Sequence, residues 1–251
     1  MPTATLPPRT ARSPWLWLGF LFIVLAFAFL LHIAIGAGHL NLASVATHLF
    51  AGDTGGTDPH NAIVWRIRLP RACACILVGA ILGVVGSAFQ ALFRNPLAEP
   101  CIVGVSSGAA VGGTIALITG VGALLGGLAT MVFAFVGAML ALMLVFGLAR
   151  RRGIVEVETL LLAGVVVGSL LGAIVTLLIL VSGENPMLVL RWLLGSMSPM
   201  SWNRVAIQAV VLVLGFAILI RYAKHLNAFA IGEETAQRLG VNVRRLKPVV
   251  L

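Results

Sequence analysis

Charge is what this 251-residue chain has least of. Asp, Glu, Lys and Arg make up 10% of it and apolar residues 60%, where an ordinary soluble domain carries about 25% charged residues. With a mean hydropathy of +1.07, a water-soluble globular fold is excluded. Lysine occurs only at Lys224 and Lys247, and neither follows glycine. The chain therefore has no G-x-x-x-x-G-K-[ST] phosphate loop and cannot hydrolyse ATP by that route. Energy for any transport must come from a partner or an ion gradient. Cys73, Cys75 and Cys101 give no disulfide framework, and a single C-x-C is poor evidence for a metal site. The net charge of +9 is spread over separate loops, whereas a nucleic-acid footprint gathers its cations on one soluble face. These residues call for no cofactor and no resident metal.

What the chain does have is long uncharged apolar runs at 15–35, 72–93, 101–149, 159–183 and 205–220. A spanning helix needs roughly 20 such residues to cross about 30 Å of hydrocarbon. The run 101–149 is too long for one crossing, and Gly120 and Gly122 offer a turn between spans at 101–119 and 123–149. The apolar piece 187–197 is too short to span. A β-barrel would need segments of about ten residues with alternating polarity; these runs are uniformly apolar. The expected fold is an all-α polytopic membrane protein with six transmembrane helices. Residues 1–14 form a polar, Pro-rich tail. Residues 15–251 form one membrane domain, with an outer loop at 36–71 and a cytoplasmic segment at 224–247.

Placing the N-terminus in the cytoplasm puts 12 Lys and Arg residues inside and 5 outside, which the positive-inside rule favours. The run 15–35 exceeds the 7–15 residues of a signal-peptide core, so it reads as an uncleaved first span. After the sixth span, Glu233 and Glu234 open a short helical pattern, Arg238 closes it and Gly240 follows as a stop. A short, water-exposed helix suits a docking surface or an ordinary connecting loop.

More specific signals follow. Arg68-Leu-Pro-Arg71, Gln90-Ala-Leu-Phe-Arg-Asn-Pro-Leu-Ala-Glu-Pro100, Gly104-Val-Ser-Ser-Gly108, Leu160-Leu-Leu-Ala-Gly164, Arg191-Trp-Leu-Leu-Gly195 and Leu226-Asn-Ala-Phe-Ala-Ile-Gly-Glu-Glu-Thr-Ala-Gln-Arg-Leu-Gly240 occur in that order. Together they resemble the FecCD-type permeases of ABC importers for iron–siderophores, haem and cobalamin. The resemblance implies ten membrane helices per subunit, so the last four are expected to be missing from this sequence. It also implies a short periplasmic helix, a second permease copy, two ATP-binding subunits, a periplasmic substrate-binding protein and a bacterial inner-membrane location.

By the same resemblance, Arg68 and Arg71 are expected to dock the binding protein, the alternative being that they position a span end at the headgroups, and Arg66 to share either role. Asn95 and Leu97 are expected at the cytoplasmic gate. Gly232, Glu233, Glu234, Thr235, Ala236, Leu239 and Gly240 are expected to couple to the ATPase. One departure weakens a second gate element: Val157 and Glu158 stand where the family carries small hydroxyl residues. No catalytic residue is implied.

Other patterns look chemical. Gly104-Val-Ser106-Ser-Gly108 matches G-x-S-x-G, but a nucleophile elbow needs a strand–turn–helix, and here a membrane helix begins. His39, His48 and His60 lie in the outer loop, either solvated or able to ligate haem iron. His32 falls near the outer end of the first span, as an intramembrane functional candidate or, the preferred reading, in reach of the headgroups. An ion-coupled secondary transporter is the alternative function, although such proteins place polar sites near the midplane and these spans have almost none.

Overall fold

In hydrocarbon every backbone polar group must be satisfied within its own segment, and the apolar runs accordingly form helices. The computed structural model describes residues 14–36, 41–55, 58–151, 154–183, 186–197 and 200–250. The polar tail, apart from its last residue, and His39 lie outside the described residues. In chain order the helices are α1 (Pro14–Ala34), α2 (Leu42–Ala51), α3 (Pro59–Phe93), α4 (Val105–Ile118), α5 (Leu128–Ala149), α6 (Val157–Leu180), α7 (Pro186–Leu193), α8 (Trp202–Ile231), α9 (Glu233–Arg238) and α10 (Val243–Val250). Helix α3 contains a π-helical stretch at Ile63–Arg68. Pro100–Val103 and Val121–Gly127 are 3₁₀ turns. A two-residue hairpin, β1 (Arg150–Arg151) and β2 (Ile154–Val155), pairs Arg150 with Val155 and Arg151 with Ile154.

Among the described residues, 5 helices are long and apolar enough to cross a membrane: α1, α3, α5, α6 and α8. The expected span at 101–119 is the exception. Gly104 takes a left-handed conformation (φ +79°) and ends the 3₁₀ turn, leaving α4 with 14 residues, about 21 Å of rise. Two other bounds move. Helix α3 begins within the expected outer loop, because Asp58 caps it, accepting from His60 N–H at 2.9 Å, and Pro59 follows at the first helical position. The loop also contains α2, capped by Asn41. Helix α8 continues past 220 through Arg221, Lys224 and His225 to Ile231.

The chain divides into two units, Met1–Leu77 with Met197–Gln208, and Val78–Ser196 with Ala209–Leu251. In the second unit, α4 packs against α5 and α6 through backbones brought close by glycine. A Cβ on Gly108 would collide with Ala141 and Gly137, one on Gly112 with Phe133, and one on Gly164 with Ile102. Lipid supplies no hydrophobic drive between helices, so such close approach is what holds them. The unit's main hydrophobic cluster joins the ends of α3, α5 and α8 to α9 and α10, through Phe93, Val145, Phe229, Ala236 and Leu246.

Candidate functional site

The α9 segment is built by its termini. Gly232 precedes it in extended backbone, Glu233 and Glu234 occupy the first turn, and Arg238 the last, each charge complementing the helix dipole. Gly240 stops it at φ +83°. Gly240 N–H donates to Gln237 O and Val241 N–H to Ala236 O, both at 2.9 Å, the two bonds of a Schellman motif. Ala236 is fully buried in the core, while Glu234, Thr235, Leu239 and Gly240 are exposed. Glu233 behaves differently from its neighbour. Its Oε1 lies 2.9 Å from Nζ of Lys247 on α10, a lysine only 4% exposed. The expected coupling residues thus share one short helix, but Glu233 is turned inward to fasten it.

The turn after α3 is built in a similar way. Arg94 N–H donates to Ala91 O and Asn95 N–H to Gln90 O, again a Schellman pair. Here the left-handed position, usually glycine, is Arg94 with φ +49°. Asn95 Oδ1 accepts Leu97 N–H at 2.9 Å, and Gln90 Nε2 donates to Pro96 O at 3.1 Å. Asn95 therefore shapes the turn, and Leu97, 82% exposed, is what the turn presents. Ala98 joins the same core as Ala236. Val157 packs against that core, and Glu158 sits exposed in the first turn of α6.

In the first unit the arginines separate by environment. Arg68 is 5% exposed, and its Nη1 donates to Ile33 O at 2.6 Å and Ala34 O at 3.1 Å. It occupies the carboxyl end of α1, where unpaired carbonyls and the helix dipole favour a cation. Gly36 is pressed against the guanidinium, 3.1 Å separating Nε from where a Cβ would lie. Arg68, expected at the docking face, is buried with its guanidinium against the end of α1. Arg71 is half-buried, its Nε out of solvent and without a hydrogen-bond partner. Arg66 is half exposed and 3.6 Å from Asp53. Asn61, fully buried, ties the preceding loop to α3 through Gly52 O and Thr54 N–H. Trp65 Nε1 donates to His48 O and Trp202 Nε1 to Trp65 O, both at 2.9 Å.

The rings of His48 and His60 lie 6.2 Å apart between centroids and tilted at 58°, and His48 Nδ1 lies 3.3 Å from Asp58 Oδ2. No cluster of three or more His, Cys, Asp or Glu suited to a metal occurs among the described residues. Sequence reading missed Phe229 and Lys247 as elements of the site. A signal for Lys247 was available, since a lysine is rare in this chain and one stands a short helix away from paired glutamates.

Residues 24–251 match the model of the FecCD transport family. The chain is 37% identical over 237 residues to the uncharacterised ABC transporter permease protein YvrB of Bacillus subtilis, covering 92% of this chain and 67% of that one. It is 40% identical over 197 residues to the cobalamin import system permease protein BtuC of Halobacterium salinarum, covering 78% and 53%. Identity to the hemin transport system permease protein HmuU of Yersinia pestis is 34% over 238 residues, covering 94% and 69%. A solved structure, described as an inward-facing conformation of a putative metal-chelate type ABC transporter, superposes with TM-score 0.72 at 30% identity, covering 94% of this chain and 71% of that one. The chain thus spans about half to two thirds of the length of these curated relatives.

Proposed function

The chain belongs to the FecCD transport family, and we propose on that footing that it acts as a permease subunit of a binding-protein-dependent ABC importer. Its apolar helices and its family make it an integral membrane protein. The proposed cargo is a bulky metal chelate such as an iron–siderophore, haem or cobalamin. The relatives named for cobalamin and hemin and the metal-chelate transporter support that class. Two copies of the permease enclose a pathway in the bacterial inner membrane. The N-terminus and α9 lie in the cytoplasm, and two ATP-binding subunits drive alternating access by rigid-body tilting of the spans. An outer binding protein docks at Arg68 and Arg71, with Arg66 sharing that role, and the Arg68 guanidinium also fastens the end of α1. Leu97 gates at the turn that Asn95 shapes.

One observation carries this reading. The exposed face of α9 is mounted on the same core as the 94–98 turn, so a push on the first reaches the second through packed side chains. The test is a single-cysteine variant, Thr235→Cys, in cells that also make the cognate ATP-binding subunit. A membrane-impermeant thiol reagent is expected to label it only after permeabilisation, and the ATP-binding subunit to protect it. Labelling in intact cells would put α9 on the wrong side for any cytoplasmic motor and end the importer reading.

A further inference from the structure

We propose that Phe229 is a positioning residue that makes α9 and the 94–98 turn move as one piece, with Arg94 and Lys247 as its two grips. Phe229 is completely buried at the end of α8, four residues before Glu233 opens α9. Lys247 Nζ lies over its ring at 5.7 Å from the centroid and Arg94 Cζ at 6.0 Å, the range in which a ring attracts a cation. Lys247 is also the partner of Glu233 at 2.9 Å. One aromatic ring is therefore tied to the first turn of α9, to α10 and to the residue next to Asn95.

The backbone at Arg94 supports the assignment. Its left-handed conformation, φ +49°, costs an L-residue about 1–2 kcal/mol that glycine would avoid. A side chain kept in a strained position points to a contact that offsets the strain, and the contact the structure provides is the Phe229 ring. The two grips are unequal. Lys247 is desolvated, whereas Arg94 is exposed, and attraction to a ring is strongest without water.

The inference rests on the permease reading and makes a separate prediction. In the complete reconstituted importer, the quantity to measure is cargo uptake per ATP hydrolysed. Phe229→Leu keeps an apolar filler but has no π face, and is expected to lower that ratio about fivefold, the size of one cation–π contact. Phe229→Trp restores it to near the native value. Should Phe229→Leu fail to assemble, Arg94→Gln reads the same ratio from an exposed position and is expected to lower it about twofold. An unchanged ratio overturns the proposal, whether uptake and hydrolysis fall together or neither falls. The permease reading fails by a different result: no ATP-binding subunit bound by the native chain.

Discussion

Two cations are buried among the described residues, Arg68 in the first unit and Lys247 in the second, and they are held in different ways. Arg68 is neutralised by fixed dipoles, the last carbonyls of α1. Lys247 is neutralised by a carboxylate, Glu233, whose side chain remains 28% exposed. The backbone carbonyls of the first arrangement cannot be protonated. The second has a partner that water, or another protein, can reach. In both regions an exposed neighbour of like charge to the inward-turned residue stands nearby: Arg66 beside Arg68, and Glu234 beside Glu233. A motif's charged residues thus divide into those that fasten a platform and those that the platform presents.

The sharpest way to break this comparison is to remove the fixed anchor. Ile33 is the only residue of α1 that the structure buries, so Arg68 is a main fastening of that helix. Arg68→Ala strips charge-assisted hydrogen bonds from buried carbonyls and is expected to destabilise the protein by about 3 kcal/mol, read as a drop in thermal midpoint in detergent. Arg68→Lys recovers part of this, because an ammonium supplies the charge but not the fork of donors. If Arg68→Ala leaves stability intact and instead weakens binding of an outer partner, the arginine presents rather than fastens.

The exchangeable pair predicts a smaller loss. Lys247→Met keeps the packing volume and leaves Glu233 half-wet, so the expected cost is about 1–2 kcal/mol. In a double-mutant cycle with Glu233→Gln, the coupling should be about 1 kcal/mol. A cycle that closes at zero would show that the two residues are near each other without supporting each other.

That division was only partly legible in the sequence. The helix over Glu233–Arg238 and its stop at Gly240 were, because end charges and a glycine encode them locally. The apolar spans were as well, since length and hydropathy are local quantities. The start of α3 was not: Arg66, Arg68 and Arg71 interrupt the apolar run, and Asp58–Pro59 reads equally as a turn or a helix cap until the backbone decides. Nor was the shortness of α4, which depends on Gly104 adopting a positive φ. The inward turn of Arg68 depends on a carbonyl 35 residues away, and that of Glu233 on Lys247, a full helix later. Resemblance assigns a residue to a region; burial decides what its side chain does there.

Separating the two glutamates sharpens the comparison on the α9 side. Glu234→Ala touches no buried group, so stability should change by less than about 0.5 kcal/mol. Retention of the ATP-binding subunit on purification is expected to fall about tenfold if Glu234 is a presenting charge. Glu233→Ala should do the reverse, costing about 1 kcal/mol of stability while the purified remainder binds its partner near normally. Equal effects from the two substitutions would collapse the distinction between fastening and presenting on this helix.

A similarly small stability effect is expected at Arg66. Its pair with Asp53 is exposed at both ends and 3.6 Å long, a geometry that contributes about 0–1 kcal/mol. Arg66→Glu should therefore leave the thermal midpoint almost unchanged. If Arg66 is the presenting member of its region, the reversal acts on encounter with the outer binding protein: association slows about tenfold at low salt while dissociation changes little. Raising ionic strength shortens the Debye length from about 10 Å at 0.1 M to about 3 Å at 1 M, so native and variant rates should converge. Rates that differ equally at both salt concentrations would mean Arg66 makes a desolvated contact rather than a steering one. The parallel with Glu234 as a presenting charge would then fail.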